Sequence, residues 1–127
     1  MEKALYVGIG GFIGSVLRYW LGNAVQQFAN NPVFPVGILT VNLLGCLVIG
    51  FLSQLADLRD VFTPEIRLFV FVGVLGGFTT FSSFGNDTIN LLRSGQSFVA
   101  FLNVGLHIFA GLACVWLGRS IAWWVWH

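Results

Sequence analysis

Apolar and polar positions alternate in long blocks along this chain, and the blocks are close to membrane-crossing length. A helix needs about 20 apolar residues to cross the hydrocarbon of a bilayer. The first apolar block runs from Ala4 to about Leu21, and a helical extension predicts a first span over residues 4–28. Ala29 to Pro35 holds two Asn and two Pro in seven residues, a strong break. Val36 to Leu55 is the second predicted span. Asp57, Arg59, Asp60 and Glu65 make the next segment the most polar of the chain, and Pro64 suits the first turn of a following helix. The third predicted span covers 66–92. Its middle, Gly76-Gly77-Phe78-Thr79-Thr80, is a poor helix interior, so a break is predicted near 76–80. After the turn Ser94-Gly95-Gln96, a fourth span is predicted over 98–118, and the Trp123–Trp126 tail reads as an interfacial anchor.

Composition sharpens this pattern. Of 127 residues, 57% are hydrophobic and 9% are charged, against roughly 25% charged in an average soluble domain. So few charges do not cover a globule, and six Lys and Arg in all exclude a basic nucleic-acid binder. The chain reads as one all-α transmembrane domain over 1–127, with no room for a soluble catalytic or nucleotide-binding domain. Lys3 stands beside Glu2 with no small-x-small site after the first block, which argues against a removable signal peptide. No internal repeat is evident. Cys46 and Cys114 lie in separate apolar spans without metal-type spacing and read as small buried residues. Four short helices enclose little volume, so a pathway through them calls for a second copy.

With four spans both termini share one side. Lys3, Arg59, Arg67 and Arg119 fall on that side, and Arg18 and Arg93 on the other. Four against two is a weak positive-inside bias, and it admits insertion in both orientations.

The informative residues are the polar ones at membrane depth, where each is costly. Asn42 lies mid-way along the second span, shortly after Thr40, and its amide can donate twice or serve as interhelical glue. Asn103 and His107 are four apart on the fourth span and share a face. Gly76 to Phe84 is the densest segment, with hydroxyls at Thr79, Thr80, Ser82 and Ser83 and rings at Phe78, Phe81 and Phe84. At a helix break the backbone loses its partners and must be satisfied by protein, water or an ion. Carbonyls ending the first half-helix favour a cation, and amides opening the second favour an anion. Phe81 and Phe84 are close on one face, and phenyl edges carry positive potential. Gly8 to Arg18 superficially matches a dinucleotide fingerprint, but no strand–helix–strand unit surrounds it and it is itself a membrane span. Its Gly10-x-x-x-Gly14 is a close-packing motif. Arg18 reads equally as a snorkelling end residue or as a donor to carbonyls of a neighbouring helix.

Taken together, the glycine run ending in Arg18, the Gly37-x-x-Thr40-Val41-Asn42 element, the Gly76-Gly77-x-Thr79-Thr80-Phe81-Ser82-Ser83-Phe84 element and His107 resemble the bacterial fluoride channel family known as Fluc or CrcB, over essentially the whole chain. The resemblance implies an antiparallel, dual-topology homodimer of four-helix subunits with two pores, in the bacterial inner membrane. It implies fluoride contacts at Asn42, Phe81, Phe84 and the hydroxyls of Ser82 and Ser83. It also implies a central structural sodium on the backbone carbonyls of Gly76 and Thr79 from both subunits. Two positions depart from the family's usual pattern: Gly85, where a serine is usual, and Asp87, where a glutamate is usual. A tyrosine seen in some members near Val104 is also absent. Arg18, Thr40, Asp87, Asn103 and His107 are then expected as pore-lining or structural polar groups.

Uncharged donors suit passive movement of fluoride, since a fixed cation in the pore would hold the anion too tightly for release. The expected activity is passive, fluoride-selective efflux, and not an enzymatic reaction. The rival class is a small proton-coupled multidrug transporter, also a four-helix dimer. It would need a titratable group at membrane depth, and the first span carries no acid beyond Glu2 at its start.

Overall fold

The computed structural model describes residues 1–127, all helical apart from short connections. Helix α1 covers Glu2–Ala29 and α2 covers Val36–Arg59. The third span, Pro64–Arg93, is divided into α3 (64–78) and α4 (Phe81–Arg93). Helix α5, Ser97–Trp126, is the fourth span. All four spans are long and apolar enough to cross a bilayer.

Each helix overruns the expected range for a local reason. Helix α2 continues through Asp57, Leu58 and Arg59 and stops at Asp60, which is left-handed with φ 48°. Asn30 ends α1 in the same way with φ 50°; short polar side chains of this type are the ones that tolerate that conformation. Thr63 caps α3 by accepting the Ile66 N–H at 3.2 Å, and Pro64 occupies the first turn, where its missing N–H costs nothing. The tryptophan tail is the last turn of α5, where Trp126 packs edge-on against Phe51 at 5.5 Å. Two segments are wound as π-helix, Leu68–Leu75 in α3 and Leu106–Ala110 in α5. Their residues carry no signal that a 3.6-residue pattern would register.

The helices approach through glycine. A Cβ on Gly10 would strike the Phe69 carbonyl, and one on Gly14 would strike the Val74 carbonyl, so the GxxxG face of α1 lies directly on the backbone of α3. Gly73 and Gly77 answer from α3, against Gly10 and Gly11. Gly77 serves contact, whereas a Cβ on Gly76 would meet nothing nearer than the Phe71 carbonyl at 3.9 Å; both remain helical, and the break falls on Thr79 and Thr80 alone. Gly50 and Gly118 bring α2 against α5, each with a carbonyl of the other helix where its Cβ would be. Bonds from Asn42 to His107 and from Arg119 to Gln54 share one sequence offset of 65 residues, so these two helices run in the same direction.

Only 18 of 127 residues are buried, and Phe81, Phe98, Phe101, Trp116 and many other large apolar side chains face outward. Four helices cover little of one another, so the remaining apolar surface requires lipid or another protein surface. This is a multi-pass membrane protein. Lys3, Asp57, Arg67 and Arg119 meet in one cavity, which puts the chain start, the end of α2, the start of α3 and the later part of α5 at the same membrane face.

Candidate functional site

The site is organised by the interruption of the third span. Thr79 (φ −88°, ψ 159°) and Thr80 (φ −151°, ψ 111°) are extended. Beta-branched residues take this conformation readily. Gly45 makes room for it, since a Cβ there would run into the Thr79 methyl. Thr80 is the N-cap of α4: its Oγ1 accepts the Ser83 N–H at 3.1 Å. The same hydroxyl bonds Ser83 Oγ at 3.1 Å and Ser82 Oγ at 3.2 Å. A cap of this type contributes about 1 kcal/mol to a helix, and here it starts a helix at membrane depth.

The break strands the backbone groups of Thr80, and Asn42 takes up both. The Thr80 N–H donates to Asn42 Oδ1 at 2.8 Å, and Asn42 Nδ2 donates to the Thr80 carbonyl at 3.2 Å. The backbone partners settle which amide atom is which, because an N–H only donates and a carbonyl only accepts. Asn42 is 9% exposed and Thr80 7%. The second Nδ2 hydrogen goes to His107 Nε2 at 3.0 Å, and His107 Nδ1 bonds the Asn103 carbonyl at 3.0 Å. One amide therefore ties α2, the break and α5 together.

Asn42, Gly76, Thr79, Thr80, Phe81, Phe84 and His107 line one groove of about 410 Å³, closed otherwise by apolar side chains and Cys46. Phe81 and Phe84 meet edge-on at 5.4 Å and 62°, and Phe84 lies over His107 at 4.2 Å. The groove holds no Asp, Glu, Lys or Arg. Its outer wall is Phe81, 82% exposed.

The other expected residues lie elsewhere. Ser83, Arg18 and Asp87 line a second cavity of about 500 Å³ under the Pro32–Pro35 loop. Arg18 thus faces a polar pocket. Ser82 is exposed beside Phe81. Thr40 is half-buried on α2 and lines neither cavity. Asn103 shares a helix face with His107 as its spacing predicts, yet the two side chains diverge. Asn103 is fully buried and donates to Thr88 Oγ1 at 3.1 Å. Sequence reasoning counted Thr80 only among the hydroxyls of the dense segment and gave it no role of its own, although a Thr opening an apolar helix is itself a cap signal.

The carbonyls of Gly76 and Thr79 have lost their helical donors. In a continuous helix Thr80 N–H would serve Gly76, and Ser83 N–H would serve Thr79; here the first goes to Asn42 and the second to Thr80 Oγ1. Both residues line the same groove, and free carbonyls of this kind suit a hard cation.

A full-length match accompanies this geometry. The profile of a family described as "CrcB-like protein, Camphor Resistance (CrcB)" matches residues 5–119. The chain belongs to the CrcB-like family. Among its CrcB-like relatives, a protein of Elusimicrobium minutum named fluoride-specific ion channel FluC is 45% identical over 96% of this chain and 94% of its own length. One of the same name from Methylobacillus flagellatus is 42% identical over 95% of this chain and 94% of its own. The fluoride-specific ion channel FluC 3 of Methanosarcina barkeri is 37% identical over 96% and 91%.

Proposed function

We propose that this protein is a fluoride-selective channel of the inner membrane that lets the anion leave the cell passively. The observation that carries the reading is the uncharged groove at the break, with Phe81, Phe84 and the Asn42 amide in its lining, in a chain whose relatives bear fluoride-channel names. Fluoride is small and strongly hydrated, so its water must be replaced by other donors along the way. The Asn42 amide supplies one, and the edges of the two phenyl rings carry the positive part of the aromatic quadrupole. Ser83, in the neighbouring cavity, and Ser82 beside Phe81 offer hydroxyl donors next to the groove. None of these groups carries charge, so the ion is held weakly enough to leave. Larger anions are rejected by the narrow path that the two rings line. The groove lining has no carboxylate to carry a proton, and its one imidazole, His107, is engaged by the Asn42 amide and the Asn103 carbonyl.

The functional unit in this reading is an antiparallel homodimer, inserted in both orientations. The exposed Phe81 supports it, because a lone subunit leaves the groove open on that side. The weak charge bias of the chain gives no strong preference for one orientation. A structural sodium ion at the dimer centre, held by the Gly76 and Thr79 carbonyls of both copies, would satisfy the acceptors freed at the break and fix the two breaks against each other.

The test is efflux from liposomes containing the purified protein, followed with a fluoride electrode, with chloride as the control. Fluoride release without chloride release is expected. Equal release of both ions would leave a channel without the proposed selectivity, and release of neither would end the reading.

A further inference from the structure

We propose that His107 is the resting partner of the Asn42 amide, a positioning residue that fluoride must displace to bind there. The inference rests on the fluoride-channel reading and adds a role for a side chain that reading does not use.

The hydrogen bonds define the state of the imidazole. Asn42 Oδ1 and one Nδ2 hydrogen are fixed on Thr80. This pair pins the plane of the amide and therefore the direction of the remaining hydrogen, which points at His107 Nε2, 3.0 Å away. A donor meets that nitrogen, so the nitrogen acts as an acceptor and carries no proton. Nδ1 then holds the ring proton and gives it to the Asn103 carbonyl at 3.0 Å. Phe84 over the ring face keeps the imidazole from turning away. Every donor and acceptor on the Asn42 side chain is in use before an ion arrives.

An arriving anion meets an occupied donor. It takes the amide hydrogen only as His107 Nε2 gives it up, so binding is an exchange of one acceptor for another. When the ion moves on, His107 takes the hydrogen back, and the buried donor is never left unpaired. The exchange lowers the affinity of the ion for the groove and speeds its release, which is what conduction asks of such a position. A mere packing role for His107 would require no acceptor at this nitrogen.

The test compares H107L and H107Q with the wild type in liposomes, measuring initial fluoride efflux against internal fluoride concentration. In H107L the acceptor is gone: the half-saturating concentration is expected to fall about 3–10-fold, the scale of one net hydrogen bond, and the maximal rate to fall with it. H107Q restores an acceptor and is expected within about twofold of the wild type by the same reasoning. Because H107L can fail to fold, the wild-type protein supplies a second readout. Its histidine nitrogen resonances, with those of His127 assigned from an H127A variant, are expected to show an Nδ1–H tautomer whose Nε2 resonance moves toward that of a free imine nitrogen when fluoride is added. An Nε2 resonance indifferent to fluoride, or H107L and H107Q shifting the half-saturation alike, overturns the proposal. A wild type that passes fluoride while H107L matches it sinks this proposal alone. A wild type that passes none sinks the channel reading as well.

Discussion

Replacing Asn42 by alanine removes the side chain that satisfies both backbone groups of Thr80 at the break. Three hydrogen bonds go at once, at 2.8, 3.0 and 3.2 Å. They leave the Thr80 N–H and carbonyl, on a residue only 7% exposed, and the half-buried His107 Nε2 without their partner. Hydrogen bonds inside membrane proteins average about 0.6 kcal/mol and reach about 1.7, so three of them amount to roughly 2–5 kcal/mol. The alanine also leaves space beside Thr80, which pushes the loss toward the upper end. Unfolding of the purified protein in mixed micelles, followed by tryptophan fluorescence, is expected to show that loss. Fluoride efflux is expected to fall with it, because α4 and its two phenylalanines are aligned through Thr80. An N42A/H107L double variant should lose less than the sum of the single losses, since both remove the same bond. A stability loss in N42A below about 0.5 kcal/mol, less than one ordinary hydrogen bond, would refute the claim that this amide holds the break together. Unchanged stability together with unchanged flux would remove Asn42 from the pathway too.

Phe81→Leu should cut fluoride efflux sharply while leaving the stability of the single subunit nearly intact, because the ring is mostly outside the fold; undiminished efflux in liposomes would take Phe81 out of the pathway. Gly14→Ala should cost about 1–3 kcal/mol through overpacking, since its Cβ would meet the Val74 carbonyl, whereas Gly8→Ala, with nothing within 4 Å, should be neutral or stabilising; the same unfolding assay separates them. A C-terminal tag should be reachable from both faces of the membrane, and protection on one face in every molecule would defeat insertion in both orientations. Arg119→Ala should cost no more than about 1 kcal/mol and less at high salt, because its ion pair with Asp57 is largely solvent-facing and its bond to Gln54 only partly buried; a larger loss in unfolding experiments would mean that the Asp57 pair is shielded from water.

Much of the architecture was legible because the membrane constrains it so strongly. A bilayer demands apolar length and satisfied backbone, and both leave marks in a single sequence. The four spans, the GxxxG contact of α1 and the interruption of the third span were read from those marks. The cause of the interruption was less plain. Paired glycines and paired threonines together predicted a poor helix interior without separating their parts; Gly76 and Gly77 stay helical, and the second threonine, as a cap, opens the new helix. Propensity alone does not separate a glycine that bends from a glycine that lets another backbone come close, because both uses exploit the missing Cβ.

What the sequence by itself determined is the medium and the chemistry. An apolar chain with most of its charges near helix ends, and its uncharged donors and rings gathered around one weak helix interior, is a membrane protein built to meet an ion without holding it. What only the tertiary structure decided is which donors are free. The Asn42 amide is engaged by Thr80, 38 residues away, and by His107, 65 residues away. Ser83 is turned to a different cavity, and Asn103 is buried behind the site. Spacing along a chain records what a residue can offer. Whether the offer is already taken depends on partners brought together by packing, and no local pattern carries that information.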